Sequence, residues 1–263
     1  MKVAFDSRAA GEVSGVGRYS SSLLEALRTA GRGEVTESHD PRRCDVFHAP
    51  WLEGALLRCP VPMVVTLHDR VALRRRGPYP GPGLRFRLRC LAAQRATRVI
   101  VPTRAVADDT AAELQIPSER IVVIAEAAAA AFRRRSEAEV SDVRKRLRLP
   151  DRYLLWVGDL RTPDPRKRVA ALARTDHSMP LVLAGPIGRW ARQLPGVTLT
   201  GAVNDEDLAA IYTGAQALVF PSDEEGFGLP PVEALACGTP VAVSEPPRWR
   251  GARRGDRADK PVE

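Results

Sequence analysis

The sequence has few aromatic residues, no long apolar run and no cysteine pair in a metal-binding or redox spacing. Aromatic residues make up only 5% of the 263 positions, and no base-stacking or groove-reading motif accompanies them, which argues against nucleic-acid binding. No run approaches the roughly 20 apolar residues that a membrane-spanning helix needs. The four cysteines are far apart in sequence and are expected to be reduced thiols, not metal ligands: Cys44, Cys59, Cys90 and Cys237.

The amino terminus also lacks the apolar stretch of a secretory signal, because Asp6 and Arg8 follow directly on Met1–Phe5. We therefore expect a cytoplasmic protein. The net charge is +8, and the last 18 residues, with six Lys or Arg and three Asp or Glu, supply +3 of it. Such a charge can attract phosphates, an anionic membrane face or nucleic acid, or it can simply reflect the base composition of the gene.

Short apolar runs that predict strands alternate with helical patterns, which indicates an α/β fold with parallel sheets and right-handed crossovers. A stretch rich in Ala and Arg, at about 126–135, interrupts this rhythm and predicts a linker. We expect two doubly wound, Rossmann-like domains, 1–132 and 133–245, that face each other across a cleft. Two helix starts are also marked, by Thr103 as a cap and by Ser136 with Glu139 as a capping box.

The most informative segment begins after the strand-like run that ends at Phe220. A glycine-rich turn contains Glu225 and leads to two prolines, which are favoured in the first turn of a helix. The free N–H groups of such a helix start favour an anion, for example a diphosphate. Glu225 in the turn and Glu233 in the helix, which we expect in its first turn, can therefore point at one ligand. Taken singly, either residue fits equally well as a surface carboxylate or as a complement to the helix dipole.

This segment, Phe220-Pro-Ser-Asp-Glu-Glu-Gly-Phe-Gly-Leu-Pro-Pro-Val-Glu-Ala234, resembles the signature of glycosyltransferase family 4 (glycosyl transferases group 1), which has the GT-B fold. The resemblance covers nearly everything from residue 1 to about 245. It implies a retaining, hexosyltransferase-type enzyme of polysaccharide or glycolipid biosynthesis that moves a sugar from a nucleotide-diphosphate sugar to an acceptor hydroxyl, with no metal or other cofactor. Further passages match in the family's order, among them Gly15-Val-Gly-Arg-Tyr19, Val65-Thr-Leu-His-Asp69 and Asp164-Pro-Arg-Lys167.

The resemblance also implies roles for particular residues. Glu225 would hold the transferred sugar and Glu233 the ribose, while Lys167 and Arg166 would neutralise the departing diphosphate, with Arg161 as a candidate third cation. A solvated basic loop is the plain alternative for these cations. The remaining donor-binding candidates come from glycine-rich turns and the helix start: Gly226, Phe227, Gly228, Leu229, Gly158, Gly15 and Gly17.

In the first half of the chain, His68 follows a strand-like run. A lone histidine there is commonly structural, but the matching histidine of the family lies beside the transferred sugar. The resemblance thus implies that His68 orients sugar hydroxyls or stabilises the transition state, and is not a general base. The Gly15–Gly17 turn lacks the further residues of a dinucleotide fingerprint or a P-loop, so it is either a tight turn or a loop near the donor or acceptor. The acceptor or cleft candidates are Asp69, Trp51 and Arg18, and His48 is either structural or lines the same cleft.

Beyond Glu245 the sequence departs from the family pattern. Residues 246–263 have no apolar periodicity, so we expect an atypical, disordered basic tail and an incomplete C-terminal domain, caused by truncation or a frameshift. The chain is then either an active transferase or a catalytically impaired remnant that binds nucleotide weakly or not at all. The expected partners are the nucleotide-sugar donor and a carbohydrate or lipid-linked acceptor. The loop at Arg74–Arg76 is either solvated or touches anionic lipid at the inner membrane face.

Overall fold

A computed structural model describes residues 1–12, 14–69 and 83–244 of the chain. The described residues form two compact units, Met1–Glu126 (unit 1) and a second that begins at Ala127 (unit 2). The basic loop at Arg74–Arg76 and the tail 246–263 lie outside the described residues, so the expectations for these two segments remain predictions.

Unit 1 is built on a six-stranded sheet in which every neighbouring pair of strands is parallel. Its strands are β1 (Lys2–Phe5), β2 (Glu34–Glu37), β3 (Val46–Ala49), β4 (Met63–Thr66), β5 (Arg98–Val101) and β6 (Ile121–Val123). The strand order is β2-β1-β3-β4-β5-β6, which reverses direction between β1 and β3. In doubly wound folds, such a reversal at the carboxyl edge of the sheet is the usual place for ligands.

The helices of unit 1 are α1 (Gly15–Ala30), α2 (Leu84–Gln94) and α3 (Arg104–Leu114). Thr103 caps α3 as predicted, because its hydroxyl accepts a hydrogen bond from the Val106 amide at 3.2 Å. The prediction of a loop at Gly15–Gly17 is wrong, since both glycines lie in the first turn of α1. The helix starts early because the Ser14 hydroxyl caps it, accepting a hydrogen bond from the Gly17 amide at 3.0 Å.

Unit 2 repeats the plan with a five-stranded parallel sheet. Its strands are β7 (Leu154–Val157), β8 (Leu181–Ala184), β9 (Val197–Gly201), β10 (Ala217–Phe220) and β11 (Val241–Val243). The order is β11-β10-β7-β8-β9, so the direction of winding reverses between the neighbours β7 and β10. Every residue of β8 is buried, as expected for a central strand of a parallel sheet that is covered on both faces.

The helices of unit 2 are α4 (Glu137–Leu147), α5 (Val169–Arg174), α6 (Asp205–Gly214) and α7 (Leu229–Ala236). The capping box of α4 is confirmed: Ser136 accepts from the Glu139 amide, and the Glu139 carboxylate accepts from the Ser136 amide at 2.8 Å. Phe132, which the sequence assigned to the first domain, packs its ring 6.0 Å from that of Tyr212 and belongs to the core of unit 2. The two parallel sheets with alternating helices confirm the predicted α/β class.

Candidate functional site

Two loops meet at the point in unit 2 where the winding reverses. Loop A (residues 158–168) follows β7, and loop B (residues 221–228) follows its sheet neighbour β10. The Asp223 amide donates a hydrogen bond to the Arg166 carbonyl at 2.9 Å, and the Arg168 guanidinium contacts the Asp223 carboxylate at 2.7 Å. Loop B then turns into α7 through Gly228, whose φ of 87° is in the left-handed region that favours glycine. The fold thus places residues about 60 positions apart in sequence side by side.

Lys167 of loop A and Glu225 of loop B form an ion pair across this junction. The Lys167 Nζ lies 2.5 Å from Glu225 Oε1, and the two side chains are 27% and 12% exposed. The same ammonium lies 5.4 Å from the centroid of the Phe220 ring, a cation–π contact that further fixes its position. A phosphate oxygen would compete with the carboxylate for the ammonium, so an anion that binds here exchanges one charge-assisted hydrogen bond for another.

The arginines of loop A are also paired with carboxylates. Arg166 donates from Nε and Nη2 to Asp164 at 3.1 and 2.6 Å. Arg161 makes the same kind of contact with Asp159, with Nη2 at 2.6 Å from Oδ2. In both cases the carboxylate lies two residues before the arginine and also accepts its backbone N–H. The fork of donors in each guanidinium is therefore held close to its own loop.

Glu233 is the most deeply buried carboxylate of the motif. It lies in the second turn of α7, so the expectation of the first turn is wrong, because α7 begins only at Leu229. Its side chain is 0% exposed, and the Tyr212 hydroxyl of α6 donates a hydrogen bond to Oε2 at 2.8 Å. Burial raises the pKa of the neighbouring Cys237 thiol to about 11, and the Glu233 charge adds to the shift.

The donor-binding candidates around the two loops differ in exposure and in packing. Gly226 and Gly228 are buried, whereas Phe227 and Leu229 are half-buried. Gly158 starts loop A and leaves no room for a side chain, since a Cβ there would lie 2.5 Å from the Trp156 ring. Close packing against Trp156 therefore explains the glycine at position 158 without a ligand.

In unit 1, His68 is held from both sides of its ring. Nδ1 lies 2.8 Å from Glu126 Oε1, and Nε2 lies 2.8 Å from the Pro50 carbonyl oxygen. Burial alone lowers the pKa of His68, but the hydrogen bond and charge of Glu126, the Pro50 carbonyl and the charge of Asp69 outweigh it. The pKa is therefore raised above its ordinary value.

His48 lies in the same part of unit 1 but differs from His68 in protonation. Its Nε2 lies 3.0 Å from the Thr66 hydroxyl, which is also 3.4 Å from the Tyr19 hydroxyl. Burial, with a smaller effect from the charge of His68, lowers the pKa of His48 to about 4, so this ring is neutral near pH 7. The Tyr19 ring packs edge-on against His68 with 4.5 Å between centroids.

The remaining candidates of unit 1 lie at the ends of the first strands and on α1. Trp51 follows β3 and donates from Nε1 to the Asp6 carboxylate at 3.4 Å, which joins the loops after β1 and β3. Asp6 is completely buried, and Arg8 donates to both of its oxygens, from Nε to Oδ1 at 2.8 Å and from Nη2 to Oδ2 at 2.7 Å. Arg18 and Asp69 are both half-buried.

Sequence reasoning missed three residues that organise these sites. Glu126 marks only the start of the predicted linker, Asp6 is noted only as an early charge, and Tyr212 is not among the candidates. For Glu126, the available signal was a single acid at the end of a strand-like run, before a stretch of alanines. Acids that follow neighbouring parallel strands gather at one edge of the sheet, so the pattern could have marked it.

The described part of the chain has neither a cluster of metal-ligand side chains nor a membrane-spanning helix. No group of three or more His, Cys, Asp or Glu side chains there is placed to hold a metal ion. None of its helices is long and apolar enough to cross a membrane.

Comparisons with known proteins assign both units to one class. Residues 18–127 match the model for Glycosyltransferase Family 4, and residues 149–249 match the model for Glycosyl transferases group 1. Among curated proteins, O-antigen chain mannosyltransferase B of Escherichia coli is 30% identical over 76% of this chain and 56% of its own length. The D-inositol 3-phosphate glycosyltransferase of Mycobacterium sp. is 31% identical over 89% of this chain and 59% of its own. The chain thus spans less than two thirds of the length of these relatives.

Solved structures agree on the fold. Anabaena HepE in complex with UDP-glucose superposes with a TM-score of 0.72 at 17% identity, covering 92% of this chain and 80% of the other. Sucrose-phosphate synthase from Thermosynechococcus elongatus gives a TM-score of 0.70 at 20% identity, covering 92% and 81%. With the two family models matched in order on two parallel-sheet units, this chain belongs to the family 4 glycosyltransferases (glycosyl transferases group 1), which have the GT-B fold.

Proposed function

We propose that this chain transfers a sugar from a nucleotide-diphosphate sugar to an acceptor hydroxyl. The observation that supports this most strongly is the Lys167–Glu225 ion pair, which two loops hold together where the winding of the unit 2 sheet reverses. Ligands of doubly wound sheets bind at such points, and this one offers an ammonium, a carboxylate and a helix start within a few residues.

The leaving diphosphate needs positive charge as its bond to the sugar breaks. Lys167 and Arg166 supply that charge, together with the N-terminus of α7, in place of a metal ion. Lys167 is held ready by Glu225 and Phe220, so little reorganisation is needed when a phosphate takes over one of its hydrogen bonds. Arg166 keeps its contact with Asp164, which orients the guanidinium without removing all five of its donors.

The two carboxylates have different tasks in this scheme. Glu225 lies in loop B and, once Lys167 turns to the phosphates, is available for the hydroxyls of the transferred sugar. Glu233, fixed by Tyr212, holds the ribose once donor binding opens the cover over its buried carboxylate. For His68 of unit 1, the family resemblance implies the orientation of sugar hydroxyls. The acceptor attacks the face from which the diphosphate departs, through an oxocarbenium-like transition state, so the configuration is retained.

The acceptor belongs to polysaccharide or glycolipid synthesis. Support comes from the relatives, which include a mannosyltransferase of O-antigen chains and a glycosyltransferase of D-inositol 3-phosphate. A cytoplasmic enzyme that uses a lipid-linked acceptor must also reach a membrane surface, and unit 1 offers one candidate contact.

That contact is one face of α2. Three leucines at a spacing of four and three residues, Leu84, Leu88 and Leu91, are 73%, 36% and 47% exposed. Arg85 and Arg87 on the same helix are exposed as well. An apolar stripe beside cations suits the headgroup region of an anionic bilayer, so we propose that α2 rests on the inner membrane face.

Sedimentation with vesicles tests the membrane contact. Binding to vesicles that contain phosphatidylglycerol should be lost in the double variant Leu84→Asp with Leu88→Asp, and retained in Leu235→Asp, which alters an equally accessible leucine of unit 2. Equal losses in the two variants, or equal binding to neutral vesicles, would refute it.

A thermal-shift titration with UDP, GDP and ADP tests the donor site, because a ligand that binds the native state raises its stability by mass action. One of the three should raise the melting temperature of the wild type, and Lys167→Met should abolish the rise. Lys145→Met, which removes the same charge from an exposed position on α4, should leave the rise unchanged. No shift with any of the three, or the same loss in both variants, contradicts the proposed site.

The alternative is that the chain is a remnant without activity. Such a remnant should bind nucleotide without turning over any sugar nucleotide, or should not bind nucleotide at all. Measuring binding and turnover on the same preparation therefore separates the two functions.

A further inference from the structure

We propose that Glu126 is a positioning residue that holds His68 as an imidazolium in a fixed orientation. The two side chains follow strands that are separated by one strand in the sheet, β4 for His68 and β6 for Glu126. They are 17% and 6% exposed, so the pair is largely shielded from water.

The geometry fixes the protonation of the ring. The Pro50 carbonyl has no proton to donate, so the nitrogen that it faces at 2.8 Å, Nε2, must carry one. A second proton lies between Nδ1 and Glu126, 2.8 Å apart, and Nδ1 donates it because an imidazole nitrogen is more basic than a carboxylate. A histidine that donates from both nitrogens is an imidazolium, because the neutral ring has a proton on only one of them.

The charges around the ring favour this state. The titratable groups that face it are Glu126, Asp69, His48 and Tyr19. The two carboxylates attract the imidazolium, whereas His48 is neutral and leaves it unopposed. Tyr19 contributes a ring edge and no charge near pH 7. Of these four groups, Glu126 is the one that hydrogen-bonds to the ring, and it therefore sets both the charge and the orientation.

The consequence for chemistry follows from the protons. An imidazolium has no free lone pair, so His68 held in this way cannot accept a proton as a general base. It can donate a hydrogen bond and place a positive charge, and exchanging the Pro50 carbonyl for a ligand oxygen leaves the contact with Glu126 in place. The use of this ring in sugar transfer rests on the proposed function, but its protonation does not.

The test is an NMR titration of the histidine rings in the full-length chain, labelled with ¹⁵N. The chain has four histidines, and single His→Gln variants assign their signals. In the wild type, His68 should titrate above the ordinary value of about 6.5. In Glu126→Gln its pKa should be lower than in the wild type, because burial remains and the carboxylate is gone. Glu126→Asp should restore part of the shift, and Glu113→Gln, an exposed acid on α3, should change nothing.

Activity supplies a second readout. The alkaline limb of the rate profile should move to lower pH in Glu126→Gln, with partial recovery in Glu126→Asp. A wild-type His68 that titrates at or below the ordinary value, or an unchanged titration in Glu126→Gln, overturns the proposal. If Glu126→Gln does not fold, the wild-type titration and Glu126→Asp still decide it. If the NMR shifts appear as expected but no sugar nucleotide is turned over, the pair stands and the proposed function fails.

Discussion

Replacing Tyr212 with Phe removes the hydroxyl that donates to the buried Glu233 carboxylate at 2.8 Å, with little change in volume. Both side chains are completely buried, so water cannot easily replace the lost donor. A hydrogen bond to a charged group contributes about 1.5–3 kcal/mol, against about 0.5–1.5 kcal/mol for a neutral pair. We therefore expect Tyr212→Phe to lower the free energy of unfolding by about 2 kcal/mol.

A matched control lies in the same unit. The Tyr153 hydroxyl is also buried and donates at 2.7 Å to the Ile211 carbonyl of α6, a neutral acceptor. Tyr153→Phe removes the same atom and should cost about 1 kcal/mol. Urea unfolding followed by tryptophan fluorescence, with linear extrapolation, measures both values.

The comparison also concerns nucleotide binding. If Tyr212 positions Glu233 for the ribose, Tyr212→Phe should weaken nucleotide binding, and Tyr153→Phe should not. Equal losses of stability in the two variants would show that the Tyr212 hydroxyl does not serve an ionised carboxylate. Unchanged nucleotide affinity in Tyr212→Phe would refute the positioning role.

Three further predictions concern local structure. A Cβ at Gly17 would lie 2.0 Å from a backbone carbonyl oxygen, whereas one at Gly15 meets nothing within 4 Å. Gly17→Ala should therefore lower the melting temperature, and Gly15→Ala should leave it equal or higher. Equal losses in the two variants would contradict this packing. Hydrogen bonds from Ser136 are the largest cause that lowers the pKa of Glu139 from 4.5 to about 2. A carboxylate with a lowered pKa stabilises the fold above pH 4.5, and this stabilisation is lost as the pH falls toward 2. The difference in unfolding free energy between wild type and Glu139→Gln should therefore close over that range. A constant difference would refute the prediction. Cys237 is 1% exposed with a pKa of about 11, so iodoacetamide at pH 8 should label it in urea but not in the native protein, as mass spectrometry can check.

Much of the fold could be predicted from local patterns. Apolar runs identified most strands, and side-chain chemistry identified the caps of α3 and α4, because capping depends on residues only three positions apart. The strand β2 was missed, since Glu34–Glu37 is an edge strand with mostly exposed side chains and so lacks an apolar run. The early start of α1 was missed because glycines suggest a loop, whereas Ser14 and close packing at Gly17 determine a helix there.

The site could be predicted only in part. Two matching passages predict Lys167 and Glu225 as site residues, but their ion pair joins residues 58 positions apart and depends on β7 and β10 being neighbours. The pairing of Arg166 with Asp164 is local, yet the sequence alone does not show that the guanidinium folds back on its own loop. Glu126 and His68 are also 58 residues apart and meet through the order of β4, β5 and β6. Such contacts depend on sheet topology, which periodicity does not specify.

Release of nucleoside diphosphate from UDP-, GDP- and ADP-sugars tests the proposed transfer most directly. Wild type should release the nucleotide from one class of donor, with an increase on addition of an acceptor sugar. Glu225→Gln should remove this release while keeping nucleotide affinity, because it spares Lys167. If the wild type binds a nucleotide but releases none from any donor, or if Glu225→Gln is as active as the wild type, the account of this chain as a working transferase is contradicted.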